Sequence, residues 1–278
     1  MSRTKIEWVQ GTDGVKGLTI NPIVGCSKIS EGCQNCYAEK MAWRLKCMGI
    51  PKYQDVVDRN GWTGKIGVDM SVFNNLPEKP KKIFVGSMGD LFHDNVPTYK
   101  TYGHIFDRAY MSNYKKGMKL KEPSIFIFLT KRPINMLKKI EYYQHRYGGN
   151  MPSNIWLGVT AENQKRADER IPILLQIPAA KRFVSVEPML DFISIKHLLN
   201  LKEPTFKTGI VGADCFGYQN KRCISWVIAG PETGPGKREC KPGWIRDLYE
   251  QCQAAGVPFF DKRKKNWIAR EFPNTESQ

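Results

Sequence analysis

Short apolar runs alternate with amphipathic stretches along most of the chain. The runs cover residues 18–24, 83–87, 125–130, 155–160, 183–187 and 226–230, with a weaker seventh at 257–260. Several are apolar without the every-second-residue alternation of a half-exposed strand. That pattern fits strands covered on both faces, as in a parallel sheet. Between them lie stretches with helical spacing, such as 163–176 and 244–255, the second closed by Gly256 where a helix C-cap is expected. Strand and helix in repeated succession predict a parallel sheet with right-handed crossovers. The fold class is therefore α/β. Six or seven units suit a partial (β/α)6-type TIM barrel or a complete barrel, and a doubly wound open sheet is the alternative.

In either architecture chemistry gathers at the C-terminal strand ends. Here those ends read Gly25-Cys26, Gly86-Ser87-Met88-Gly89-Asp90, Thr130-Lys131-Arg132, Thr160-Ala161-Glu162, Ser185-Val186-Glu187-Pro188 and Gly230-Pro231-Glu232-Thr233-Gly234. Hydroxyls, carboxylates and glycines dominate, so one shared polar cleft is the economical reading.

Composition adds a size and a partner class. The chain has 278 residues, 41% of them hydrophobic and 25% charged, which suits one large domain or two small ones. The N-terminus carries no apolar run like that of a signal peptide and no later segment reaches membrane-spanning length, so a cytoplasmic protein with no membrane partner is expected. Lysine and arginine number 43 against 27 aspartates and glutamates, a net charge of +16. Such an excess favours a polyanionic partner, DNA first among them. Basic clusters occur at Lys115-Lys116-Gly117-Met118-Lys119-Leu120-Lys121 and at Lys262-Arg263-Lys264-Lys265.

The eight cysteines argue against a disulfide framework in a reducing compartment and toward a search for metal spacing. Cys26, Cys33 and Cys36 form C-x6-C-x2-C in a Gly/Ser/Asn-rich loop after the first strand. Zinc would want a fourth ligand, and no further Cys or His is close by. Three thiolates leave one iron of a [4Fe–4S] cluster open for a ligand. On spacing alone an iron–sulfur site, a zinc site and three ordinary thiols all stand. Cys47 falls within the following helix and is expected as a buried thiol. Cys215, Cys223, Cys240 and Cys252 have gaps that match no standard metal pattern, with an auxiliary site as the alternative.

The stretch from Asn21 to Glu39, with its Asn-Pro-x-x-Gly-Cys start and Cys-Tyr-Ala end, resembles the cluster loop of the phage Gp37/Gp68-type (DUF5131-like) three-cysteine proteins of the radical S-adenosylmethionine (SAM) superfamily. It is also similar to DNA-repair-photolyase-like, spore-photoproduct-lyase-related proteins. Thr130-Lys131-Arg132-Pro133, Trp156-Leu157-Gly158-Val159-Thr160, Ser185-Val186-Glu187-Pro188, Trp226-Val227-Ile228-Ala229-Gly230 and the 252–260 stretch extend the likeness in order. Three departures stand out. The first cysteine gap is six residues where the superfamily has three, Ala229-Gly230-Pro231-Glu232-Thr233 replaces Gly-Gly-Glu-Ser, and Asp261-Lys262-Arg263-Lys264-Lys265 replaces an aromatic/Gln-Trp-Gly tail.

The resemblance implies a single radical SAM barrel domain over 1–278, with a cluster loop at about 21–39 and a C-terminal extension at about 257–278. It implies a [4Fe–4S] cluster on Cys26, Cys33 and Cys36, with SAM as second cofactor. SAM is cleaved reductively to methionine and a 5′-deoxyadenosyl radical that takes hydrogen from a substrate. Tyr37 packs near the adenine or the cluster, or in the core. Gly86, Ser87 and Asp90 close the second strand, where Ser87 or Asp90 takes the SAM amino group, unless Asp90 caps the next helix. Thr130 and Lys131 close the third strand, and Lys131 pairs with the SAM carboxylate or a substrate phosphate, or is simply solvated. Thr160, Glu162, Ser185 and Glu187 meet ribose hydroxyls or substrate. Glu187 leads among these, because a carboxylate ending an apolar strand needs a partner. Glu232 and Arg238 are further candidates, and His93 is either an acid–base group or a satisfied histidine.

Expected partners are DNA, an external reductant such as flavodoxin or ferredoxin, and companion modification enzymes, in the host cytoplasm if the gene is a phage's. The narrowest reading is rearrangement of an amino-acid-modified thymine in phage DNA. A thymine-lesion repair lyase and an RNA-modifying enzyme are the enzymatic alternatives; a metal-cluster nucleic-acid-binding protein is the other. A base must leave its stack to reach such a site, and Trp43, Phe92, Trp244 and Trp267 are candidate stacking partners at the mouth.

Overall fold

In the computed structural model the described residues are 2–10, 16–74, 76, 81–97, 100–112, 114–115, 118–120, 123–147, 151–199 and 223–273. Seven parallel strands form one sheet in strict sequence order: β1 (Leu18–Ile20), β2 (Lys82–Val85), β3 (Ile125–Thr130), β4 (Ile155–Thr160), β5 (Lys181–Val186), β6 (Trp226–Ala229) and β7 (Phe259–Asp261). A two-residue strand, Ser2–Arg3, adds antiparallel to β1. Strands β1 and β7 do not pair with each other, so the sheet is an open half-barrel. The doubly wound alternative, which needs a reversal of strand order, does not apply. The first predicted run, 18–24, is split at Asn21-Pro22. Residues 18–20 belong to the sheet, while Ile23–Val24 pairs antiparallel with Gly67–Val68.

Helices α1 (Tyr37–Cys47), α2 (Lys100–Met111), α3 (Pro133–Tyr147), α4 (Gln164–Gln176), α5 (Lys196–Leu199) and α6 (Pro242–Ala254) lie in the six crossovers. Asn163 caps α4 by accepting from the Arg166 amide at 3.0 Å. Gly256 follows α6 with φ of 65°, the left-handed stop its sequence predicts.

Alternate strand residues separate into two cores. Ile83, Val85, Phe126, Phe128, Leu157, Val159, Val184 and Val227 join the large core beneath the helices. Phe84, Ile127, Trp156, Phe183, Trp226, Ile228 and Phe260 face inward and form an aromatic floor with Trp8. Both faces are apolar, which is why the strands read as continuous runs. Phe272 packs tilted against Trp226 (5.7 Å between ring centroids), and Arg270 pairs with Glu7 (3.2 Å).

Gly158 belongs to the inner face, where a β-carbon would lie 2.4 to 2.6 Å from three atoms of the Phe183 ring. Gly158→Ala is therefore expected to lose about 1–3 kcal/mol in urea unfolding, as for other overpacked cores. A Phe183→Leu change in the same chain should recover part of that loss. Among the described residues no helix is long and apolar enough to cross a membrane.

Candidate functional site

The inward strand positions turn from aromatic to polar toward the C-terminal end of the sheet. Above Trp156 and Gly158 comes Thr160; above Phe183 come Ser185 and Glu187; above Phe260 comes Lys262. These residues floor a cleft of about 1220 Å³, whose walls are the loops after the strands.

The cysteine loop forms one wall. Gly25, with φ of 99°, turns the chain out of the sheet, and its amide donates to the Met88 carbonyl (3.1 Å). Gly89 lies so close that a β-carbon there would be 2.7 Å from the Gly25 carbonyl oxygen. This glycine contact sets Cys26 beside the end of β2. Cys33 ends a short 3₁₀ turn, Glu31–Cys33, and Cys36 is the N-cap of α1. All three cysteines are half-buried and line the cleft. Among the described residues, no three His, Cys, Asp or Glu side chains form a group arranged to hold a metal ion. The donor set nonetheless fits a thiolate-held cluster in kind: three cleft-facing sulfurs on one loop, with a helix N-terminus at one and a guanidinium at another.

That guanidinium is Arg132, which belongs to the Thr130–Pro133 motif and has no role that the sequence alone suggests. Its Nη1 is 3.6 Å from Cys26 Sγ and 3.2 Å from Asp90 Oδ2, and its Nη2 donates to Ser27 Oγ (2.8 Å). The Asp90 carboxylate also accepts from Thr130 Oγ1 (2.7 Å) and from the amides of Phe92 (2.9 Å) and Lys131 (3.3 Å). Asp90 thus lines the cleft with its oxygens already filled, as the anchor of Arg132. Burial pushes the Cys26 thiol up to about 12; the Asp90 charge adds to the shift and Arg132 opposes it.

His93 Nε2 is 2.8 Å from Ser27 Oγ, while Nδ1 accepts from the Asn95 amide (3.1 Å), which makes Nε2 the protonated nitrogen. Burial, then the Arg132 charge, holds its pKa below the usual range. It is a satisfied histidine outside the cleft wall.

Glu162 differs from the other strand-end candidates. It is fully buried and outside the cleft wall, where its carboxylate accepts from Arg170 Nη1 (2.8 Å) and the Gly32 amide (3.3 Å). It holds the cysteine loop from behind. Glu232 holds the same loop from the far side, accepting from Asn35 (2.9 Å) and from Arg238 Nε (3.0 Å) and Nη2 (2.5 Å). The Arg238 hydrogen bonds are the main cause holding the Glu232 pKa down at about 2. A depressed carboxylate pKa stabilises the fold above the unfolded value, about 4.5, and that contribution fades as pH falls toward 2. The stability gap between the parent and Glu232→Gln is therefore expected to be full at pH 6 and to shrink below pH 4.5, measured as urea midpoints at each pH.

The remaining sequence candidates line the cleft. Tyr37 is 55% exposed and donates to the Ser87 carbonyl (2.8 Å), so it is not a core residue. Ser87 Oγ is 3.2 Å from Asn21 Oδ1. Lys131 offers its ammonium without an acid partner among the described residues, and Thr130 and Thr160 are buried in the floor. Ser185 is 1% exposed, and its buried Oγ has no hydrogen-bond partner among the described residues. Glu187 is ion-paired with Lys262, whose passage needs Gly230, since a β-carbon there would meet Lys262 Cβ at 2.8 Å.

Several expectations need correction. Cys47 ends α1 exposed, because the buried face of that helix carries Ala38 and Ala42. Phe92 is fully buried in the main core, Trp43 and Trp244 pack partly buried outside the cleft, and Trp267 is exposed on the loop after β7, beyond the residues that line it; Tyr37, Trp62, Trp8 and Phe84 are the aromatics lining the cleft. Trp62 is held there by its amide, which donates to Glu39 Oε2 (3.1 Å). Cys252 is buried under α6 while Cys240 lines the cleft. Cys215, Lys116, Gly117 and Lys121 lie outside the described residues.

Fold and site together define a parallel half-barrel protein with a three-cysteine loop over its polar mouth. The chain belongs to the DUF5131 family, described as a protein of unknown function, whose family model matches residues 3–278. No curated protein and no solved structure matches the chain.

Proposed function

We propose that the protein is a radical SAM enzyme acting on nucleic acid, with Cys26, Cys33 and Cys36 as ligands of a [4Fe–4S] cluster and SAM bound in the same cleft. One observation carries the reading: all three cysteines line a single large cleft at the C-terminal end of a parallel half-barrel, together with Thr130, Thr160, Ser185 and Glu187. When bound, the cluster and SAM would supply a 5′-deoxyadenosyl radical that takes hydrogen from the substrate.

The chain's own residues supply the environment. Arg132 donates toward the Cys26 sulfur, and Lys131 offers a charge to a carboxylate or phosphate. The Glu187–Lys262 ion pair places a carboxylate and an ammonium together in the cleft wall. The narrower reading, rearrangement of an amino-acid-modified thymine in phage DNA, is supported by the sequence resemblance and the charge of +16. An external one-electron reductant completes the system.

Anaerobic reconstitution with iron and sulfide tests the proposal. Reduced protein given SAM is expected to release 5′-deoxyadenosine and methionine, and Cys33→Ala should abolish both the brown cluster absorption and the release. Iron incorporation without SAM cleavage would instead identify a cluster-bearing binding protein. A Cys33→Ala chain that keeps iron and cleavage would overturn the ligand assignment.

A further inference from the structure

We infer that a single nucleic-acid strand enters the cleft across the loop after β7, with its phosphates on unpaired lysines and one base stacked on Trp267. This deepens the substrate side of the proposed function; it stands on charge, exposure and ring geometry and is independent of the cluster.

The basic residues of the cleft wall divide into two groups. The arginines are committed to acids: Arg132 to Asp90, Arg238 to Glu232, and Arg263 to Asp261 at 2.7 Å. Lys262 is committed to Glu187. Lys5, Lys131, Lys237 and Lys264 also line the cleft, and among the described residues none has an acid partner. A guanidinium locked in a fork positions protein, whereas a free ammonium on a flexible stem is a mobile point charge suited to phosphate. Of the acids in the wall, Glu7 pairs with Arg270 and Glu239 has no basic partner among the described residues, so four free lysines against one free carboxylate leave the cleft positive, without a fixed geometry for any one small anion.

The loop after β7 adds the aromatic element. Arg263 and Lys264 belong to the cleft wall, Lys265 follows, and Asn266 turns the chain with φ of 54°. The next residue, Trp267, is 51% exposed. Its ring is braced by Arg270, whose guanidinium carbon is 5.2 Å from the ring centroid, and Arg270 is itself held by Glu7 and the Arg263 carbonyl (both 3.2 Å). A braced, exposed indole beside free lysines is the combination that binds single strands: stacking for a base, charge for the backbone. A base inside a duplex is covered on both faces by its neighbours, so it cannot stack on Trp267 without leaving the helix.

The test is fluorescence anisotropy of short labelled strands with the full chain as purified. Single-stranded DNA and RNA arms identify the sugar, and a duplex arm and a polyglutamate arm are run beside them. A single strand is expected to bind more tightly than duplex of equal length. Trp267→Ala should weaken binding about tenfold, and Trp267→Phe should restore most of it. The double change Lys237→Gln and Lys264→Gln should flatten the plot of log affinity against log salt by about 0.7 for each phosphate no longer neutralised. Unchanged binding by Trp267→Ala, tighter binding of duplex, or equal binding of polyglutamate would each overturn the inference. Because no arm needs iron or SAM, failure here is distinguishable from failure of the radical SAM reading.

Discussion

Arg132→Met is expected to cost about 3–5 kcal/mol of folding stability, the usual penalty for stranding one member of a buried ion pair. The Arg132 side chain is 6% exposed, and Asp90 beside it is 10% exposed at the side chain. Without the guanidinium, Asp90 keeps three donors, Thr130 Oγ1 and the amides of Phe92 and Lys131, but no countercharge. Arg132→Lys should recover part of the loss. One ammonium supplies the charge, yet it cannot span Asp90, Cys26 and both Ser27 oxygens as the fork does. Adding Asp90→Asn to Arg132→Met removes the stranded charge and should return much of the stability. Urea unfolding measures all of these changes. A second readout separates the local role from the global one: if Cys26 is a ligand, iron content after reconstitution should fall in Arg132→Lys even where the fold survives.

Arg170→Met is the second large effect, again about 3–5 kcal/mol by the same reasoning. Glu162 is fully buried, and Arg170 Nη1 reaches both its carboxylate (2.8 Å) and the Thr160 carbonyl (2.7 Å). The consequence extends to the cysteine loop, because the Gly32 amide donates to the other Glu162 oxygen. Packing is so close that a β-carbon on Gly32 would lie 3.0 Å from that carboxylate. In Arg170→Met the Gly32 amide should lose hydrogen-exchange protection ahead of the strand amides. Protection that stays level with the sheet would mean that Glu162 does not hold the loop.

The fold was largely legible. Seven apolar runs became seven parallel strands, and the helices at 163–176 and 244–255 match α4 and α6 to within two residues. The run at 18–24 misled because Ile23 and Val24 are buried like strand residues, although they pair with Gly67–Val68 outside the main sheet. Burial alone does not tell which sheet a residue joins. The exposed Cys47 and the core Phe92 misled for a related reason, since residue type gives a tendency toward the interior but not the face of an element. The polar strand ends were named correctly as a group, and all but Glu162 line the cleft.

What the sequence by itself determined was local: where strands begin and end, that they are covered on both faces, and that three cysteines sit in a loop between a strand and a helix. Those features follow from neighbours within a turn or two of chain. The division of labour among the charged residues was decided only by the tertiary structure. Arg132 meets Cys26 across 106 positions, Gly32 meets Glu162 across 130, and Asn35 meets Glu232 across 197. A strand-end Asp or Glu reads the same whether it faces a ligand or a buried arginine. Only packing in three dimensions shows that Asp90, Glu162 and Glu232 are anchored to arginines while Lys131, in the cleft wall, has no acid partner among the described residues.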